Sequence, residues 1–304
     1  MSTPSRLRPK FLIIGAQKSG TTALWEYLSH HPEICAPKQK ELNYFICAAI
    51  YARGVDSYHD CFPLHDPTSA EHITFDASVN YLISEEAASR IHSYDPNMKL
   101  IALLRDPVLR AYSAWQMYRV FFQDNRDWYF DWMDKYDAPV DRELYARRSL
   151  DFGSSFRDDI LEELRAADEG KPVEAPFLRH GFYEEQLQNY RKYFPQQQMF
   201  IEDSRRFRDE TITVLGEVED FLEIARHDWD EDLVKPVYVD VRGREQESYE
   251  ESRDAYTVTV KAKRAKVAAY NGLPSDRSVD LLKGVYDERN RKLFALLGRE
   301  FSWL

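Results

Sequence analysis

The chain has 304 residues, 43% hydrophobic and 31% charged, with a formal net charge of −11. That composition belongs to a folded globular chain and excludes a disordered or collagenous one. The acidic balance argues against a general binder of nucleic acid or anionic membrane, because such surfaces need net or clustered positive charge. No apolar run approaches the roughly 18 residues of a spanning helix. The opening MSTPSRLRPK leads straight into FLIIG, which is too short for the core of a signal peptide. Cys35, Cys47 and Cys61 are odd in number and lack CxxC spacing. They speak against a disulfide framework or a zinc knuckle, and make the cytosol the default compartment.

In chain order, Phe11–Gly15 is a strand that ends in a glycine turn, and Thr21–His31 a helix with Leu24, Trp25 and Leu28 on one face. Ile73–Phe75 is a short strand and Ser84–His92 a helix. Lys99–Leu104 (KLIALL) is nearly all apolar, the mark of a central parallel strand covered on both faces. A helix follows from Pro107, since proline suits a first helical turn. A helix over Glu184–Tyr193 precedes a strand at Met199–Ile201, and helices over Thr211–Leu222 and Ser278–Leu297 close the chain. This alternation predicts an α/β fold with a parallel sheet between layers of helix, in a single domain over 1–304. Residues 123–176 mix aromatics with acids and read as a helical insertion, either a cap over the sheet or a lid on the acceptor side. Residues 217–232 hold eight acids against one arginine and predict a solvated face.

The strongest local signal is FLIIGAQKSGTTALWEYL. A buried strand, a glycine turn and a helix start, in that order, aim free backbone N–H groups and the positive helix end at one place, which makes an anion site. Gly15 and Gly20 have the spacing of a nucleoside-triphosphate P-loop. That loop needs Lys directly after its second Gly, where this chain has Thr21, and its own lysine comes earlier, at Lys18. A kinase or NTPase that uses Mg²⁺ is thereby disfavoured, while phosphate binding is not. His30 and His31 end the first helix, where a cation favours the dipole.

The run Gln17-Lys18-Ser19-Gly20-Thr21-Thr22 resembles the 5′-phosphosulfate loop of sulfotransferases that use 3′-phosphoadenylyl sulfate (PAPS). The resemblance implies a P-loop-type sulfotransferase fold, with PAPS as donor and adenosine 3′,5′-bisphosphate as product. It also implies that Lys18 and the loop amides hold the 5′-phosphosulfate. In LLRDPVLRAYSAW, Arg105 and Ser113 match the family's 3′-phosphate pair. Eight helical residues make little over two turns and keep Ser113 near the arginine's side. A guanidinium suits bidentate phosphate binding, and a serine adds a neutral donor. KQKELNYF is similar to the segment in which heparan sulfate enzymes carry their general base, which places that role on Glu41. A carboxylate there can take a proton from an acceptor hydroxyl or amine.

Further matches are looser. FDASVNYL resembles the segment with a second active-site lysine in heparan sulfate enzymes, but Ala77 stands at that position, leaving Asp76 and Ser78 to face the acceptor. Gly181-Phe182-Tyr183 resembles a segment before the fourth strand and puts Tyr183 on the cofactor side. Tyr238 falls where the family often has an aromatic beside the adenine. Lys263 and Arg264, in Lys261-Ala262-Lys263-Arg264, are candidates for the basic loop over the 3′-phosphate. No metal-ligand spacing is present. Trp128 and Trp132 suit stacking on the face of a small neutral or cationic acceptor, and a uronic-acid polymer would meet like charge. The rival expectations are a P-loop kinase or NTPase, and a catalytically silent nucleotide-binding protein.

Overall fold

The computed structural model describes residues 6–64, 72–124, 152–153, 155–171, 176–231, 234 and 275–303. Four parallel strands form one sheet in the order β2-β1-β3-β4: β1 (Pro9–Gly15), β2 (Thr74–Ala77), β3 (Lys99–Leu104) and β4 (Met199–Asp203). Ile13 lies opposite Ala77 on one side and Ile101 on the other, and Leu104 lies opposite Asp203. β1 and β3 are the apolar runs of the sequence, and the sheet alternates as a strand must. Leu12, Ile14, Leu100, Ala102 and Leu104 enter one core, while Phe11, Ile13, Ile101 and Leu103 enter the other. Phe11 and Phe75 stack at 4.9 Å between ring centroids, an arrangement worth about 0.5–1.5 kcal/mol beyond its buried area.

The helices are α1 (Thr21–Leu28), α2 (Ala48–Tyr51), α3 (Val55–His59), α4 (Ala87–Tyr94), α5 (Pro107–Asp124), α6 (Phe156–Asp168), α7 (Tyr183–Arg191), α8 (Ser204–Asp209), α9 (Thr211–Leu222) and α10 (Asp276–Leu297). Leu24 and Leu28 of α1, Phe207 of α8 and Val214 and Val218 of α9 cover one face of the sheet. Ile91 of α4, Leu187 and Tyr190 of α7 and Leu293 of α10 cover the other. A third cluster joins Ala111 and Trp115 of α5 to Ile160 of α6 and Leu282 and Tyr286 of α10. After β1 the chain turns towards β2, and after β3 towards β4. The β1/β3 boundary is therefore a topological switch point, the crevice where open parallel sheets hold ligands. No helix among the described residues is long and apolar enough to cross a membrane.

Three expectations need correction. The first helix ends at Leu28, and His31 turns inward, its Nε2 3.0 Å from the Ala225 carbonyl oxygen. The strand expected at Ile73–Phe75 runs on through Asp76, a residue that looks like a strand breaker but is satisfied by three hydroxyl donors. The acidic stretch is not simply solvated. Glu219 is fully buried and accepts from Trp229 Nε1 at 2.7 Å, while Arg206 grips Glu217 through both terminal nitrogens. Of the aromatic insertion, α6 is described, and residues 125–151 lie outside the described residues.

Candidate active site

Everything at the site hangs from the carboxyl edge of β1, β2 and β3. A Cβ on Gly15 would lie 2.8 Å from Leu82 Cβ and 3.1 Å from the Val79 carbonyl oxygen, so the chain leaves β1 through a gap only glycine fits. Gly20, at φ +91°, turns the loop into α1 in a left-handed conformation that glycine adopts without penalty. No side chain caps α1 and its first turn holds no acid, which leaves its N–H groups facing the loop.

Lys18 sits inside that loop at φ 67°. Among the described residues the non-glycines with positive φ are Lys18, Glu41, Asn43 and Glu223. Two of these are the residues singled out for chemistry, and strained backbone of this kind gathers at functional sites. Burial, and then the charges of Arg105, Lys40 and Arg110, lower the Lys18 ammonium to about 8. Such a gathering of cations is unfavourable by itself and is suited to a polyanionic ligand.

Arg105, at the end of β3, reaches across the switch point and donates from Nη1 to the Lys18 carbonyl at 3.1 Å. Burial lowers its pKa, with opposing contributions from nearby charges. Asp106 begins α5 by accepting from the N–H groups of Val108 (2.8 Å) and Leu109 (3.1 Å). Ser113 lies two turns further on, partly exposed. Gln17 donates to Tyr118 of the same helix at 3.4 Å. Tyr183 is buried and donates to the Arg105 carbonyl at 3.0 Å, so it braces the arginine from behind. Burial first, then Arg110 and Arg179, push the neighbouring His180 down to about 3, which keeps it neutral.

The opposite wall comes from residues 40–43 and the end of β2. Glu41 is tied to the end of β2 and to the turn after it, its N–H donating to the Ala77 carbonyl at 3.0 Å and its Oε2 accepting from Val79 N at 3.3 Å. Its side chain keeps 31% exposure, so the carboxylate is reachable. Asp76 and Ser78, expected to face the acceptor, are instead fully buried. Asp76 accepts from Ser78 Oγ (2.8 Å), Tyr81 (2.6 Å) and Tyr58 (3.1 Å), and Ser78 Oγ accepts from Asn43 N (3.0 Å). Together they form the floor beneath Glu41. Burial pushes Asp76 up to about 6 against the pull of its three hydroxyl donors, and the charge of Glu41 adds to the rise.

Two site cations escaped the sequence reading. Lys40 donates to Thr21 Oγ1 (3.2 Å) and Thr22 Oγ1 (3.1 Å), and only its adjacency to Glu41 marked it in advance. Arg110 is fully buried on α5 and donates to the Phe177 carbonyl, while its Nε and Nη1 have no hydrogen-bond partner among the described residues. Its signal lay inside LLRDPVLRAYSAW, between the two residues that were chosen. Trp128, Trp132, Tyr238, Lys263 and Arg264 lie outside the described residues.

A parallel sheet flanked by helices, with a glycine-turned loop at its switch point and Lys18, Lys40 and Arg105 about it, defines an α/β fold of the P-loop type. The chain belongs to the Sulfotransferase domain family, which it matches over residues 8–268. It is 34% identical over 223 residues to the human bifunctional heparan sulfate N-deacetylase/N-sulfotransferase 3, an alignment covering 72% of this chain and 23% of that one. The chain thus spans about a quarter of the length of that relative. Mouse heparan sulfate glucosamine 3-O-sulfotransferase 6 is 26% identical in an alignment covering 99% of this chain and 76% of that one. The crystal structure of a sulfotransferase from Alicyclobacillus acidocaldarius shares the fold, with a TM-score of 0.64 at 22% identity and coverage of 97% and 98% of the two chains.

Proposed function

We propose that the chain transfers the sulfuryl group of PAPS to a hydroxyl or amine of a small acceptor, a natural product or saccharide. The observation that carries this reading is Lys18 held in the loop before α1 with Arg105 donating to its carbonyl at 3.1 Å; burial first, and then the charges of Arg105, Lys40 and Arg110, lower its ammonium to about 8. PAPS carries a 5′-phosphosulfate and a 3′-phosphate, and the site offers donors of matching kind. Lys18 and the start of α1 serve the first, and Arg105 with Ser113 serve the second. The acceptor oxygen or nitrogen attacks sulfur in line and gives its proton to Glu41. The bond between sulfur and the bridging oxygen breaks, and charge grows on that oxygen as adenosine 3′,5′-bisphosphate leaves. Lys18 meets that charge where it develops, which lowers the barrier more than it stabilises the bound donor.

The named relatives act on heparan sulfate, a polyanion. The charge of −11 favours a neutral or cationic small molecule for this chain, because a polymer of like sign needs a long basic groove. The reading is tested by incubating the enzyme and labelled PAPS with a panel of small natural products, simple saccharides and desulfated polysaccharides. Label is expected on small molecules. Transfer only to the polymers would overturn the acceptor class, and failure to bind either PAPS or adenosine 3′,5′-bisphosphate would overturn the donor.

A further inference from the structure

Lys40 has no part in the mechanism above, yet its ammonium is closely held at the site. Its side chain is 8% exposed, and its Nζ stands 3.2 Å from Thr21 Oγ1, 3.1 Å from Thr22 Oγ1 and 3.4 Å from Glu41 Oε1. It is also close enough to Lys18 to help lower that ammonium. One charge therefore touches the last two hydroxyls of the phosphate loop, the carboxylate proposed as base, and the field of the lysine proposed for the leaving group.

The loop itself says what such a charge is for. In nucleoside-triphosphate loops the hydroxyl two places after the second glycine binds Mg²⁺, which bridges the phosphates. Counted from Gly20, that hydroxyl is Thr22, and the Lys40 ammonium stands on it. We propose that Lys40 is a second catalytic cation of the site: its ammonium binds the sulfuryl oxygens of the donor, from the position that a divalent cation takes in nucleotide-hydrolysing relatives of this loop. The inference rests on the reading of the site as a PAPS site.

The chemistry is self-consistent. A lysine has three N–H donors and no acceptor, and the two on the threonine hydroxyls can move to sulfuryl oxygens without a change of charge. The threonine hydroxyls released in that exchange become donors for the adjoining phosphate. Lys40 alters no step of the transfer and calls for no further reactant.

The alternative is that Lys40 only pins the segment carrying Glu41 onto the start of α1. The two roles separate because adenosine 3′,5′-bisphosphate has both phosphates of PAPS but no sulfuryl group. Calorimetry with both nucleotides on wild type, Lys40→Met and Lys40→Arg reads the difference. Lys40→Met is expected to lose about tenfold in PAPS affinity while the bisphosphate binds within twofold of wild type, which also shows that the variant is folded. Lys40→Arg is expected to keep most of the preference for PAPS. Equal weakening of both nucleotides in Lys40→Met, or no change in either, would overturn the proposal. A wild-type protein that binds neither nucleotide would instead bring down the PAPS reading, and Lys40 with it.

Discussion

Lys18 and Glu41 are both held in left-handed backbone, and both substitutions that remove their chemistry keep the Cβ. Lys18→Ala keeps a Cβ and so asks the same of the backbone. It is expected to fold and to lose on the order of 10²–10³ in turnover, the typical cost of removing a preorganised charge from a developing oxyanion. Glu41→Gln keeps size and polarity but cannot take a proton. Its turnover is expected to fall by about 10²–10⁴ with nucleotide affinity unchanged, as steady-state rates and calorimetry would show. Asp76 offers a prediction of a different kind. Its folded pKa of about 6 lies above the unfolded value, so its contribution to stability is complete at pH below about 3.9 and fades as pH rises through 6. Urea melts of wild type and Asp76→Asn should show wild type gaining up to about 3 kcal/mol relative to the variant between pH 7.5 and 4, on top of any constant offset. A difference that stays flat over that range would mean that Asp76 titrates normally.

At the scale of elements, the site depends on where α5 begins. Asp106 caps its first turn and thereby fixes the path from Arg105 to Ser113. Asp106→Ala is expected to cost about 0.5–2 kcal/mol of stability in a denaturant melt and to weaken binding of adenosine 3′,5′-bisphosphate without touching it. The elements that position the proposed nucleotide site were legible because their signals are local. FLIIG and KLIALL are apolar through and through, Gly20 marks the turn, and Pro107 marks a helix start. Residues placed by tertiary packing were not legible. Asp76 and Ser78 read as groups facing the acceptor, and only the hydroxyls of Tyr58 and Tyr81, brought in from α3 and the turn after β2, let them be buried. Lys40 and Arg110 likewise gain meaning only from what the fold sets beside them. Glu219 is the same lesson inside an acidic run, buried because Trp229 and the His227 backbone supply donors.

For the whole molecule, the charge of −11 sets a long-range field that the cationic site must work against locally. A cationic acceptor is drawn towards such a surface, and salt screens that attraction, with a Debye length falling from about 10 Å at 0.1 M to about 3 Å at 1 M. KM for a cationic acceptor is therefore expected to rise several-fold between low salt and 0.5 M, whereas KM for a neutral one should hardly change. Equal salt responses for the two would count against a field-steered acceptor. The strand order has a last consequence, in time rather than in space. β1 pairs with β2 and β3, so Phe11 must wait for Phe75 and then Lys99 to be synthesised. At about 5–20 residues per second, FLIIG leaves the ribosome several seconds before its first partner and on the order of ten seconds before its second. During that interval α1 can cover one face of this apolar segment, but its edges have no strand to pair with, and non-local pairing of this kind is intrinsically slow. The same strand that anchors the Lys18 loop is thus a segment a nascent-chain chaperone has reason to hold.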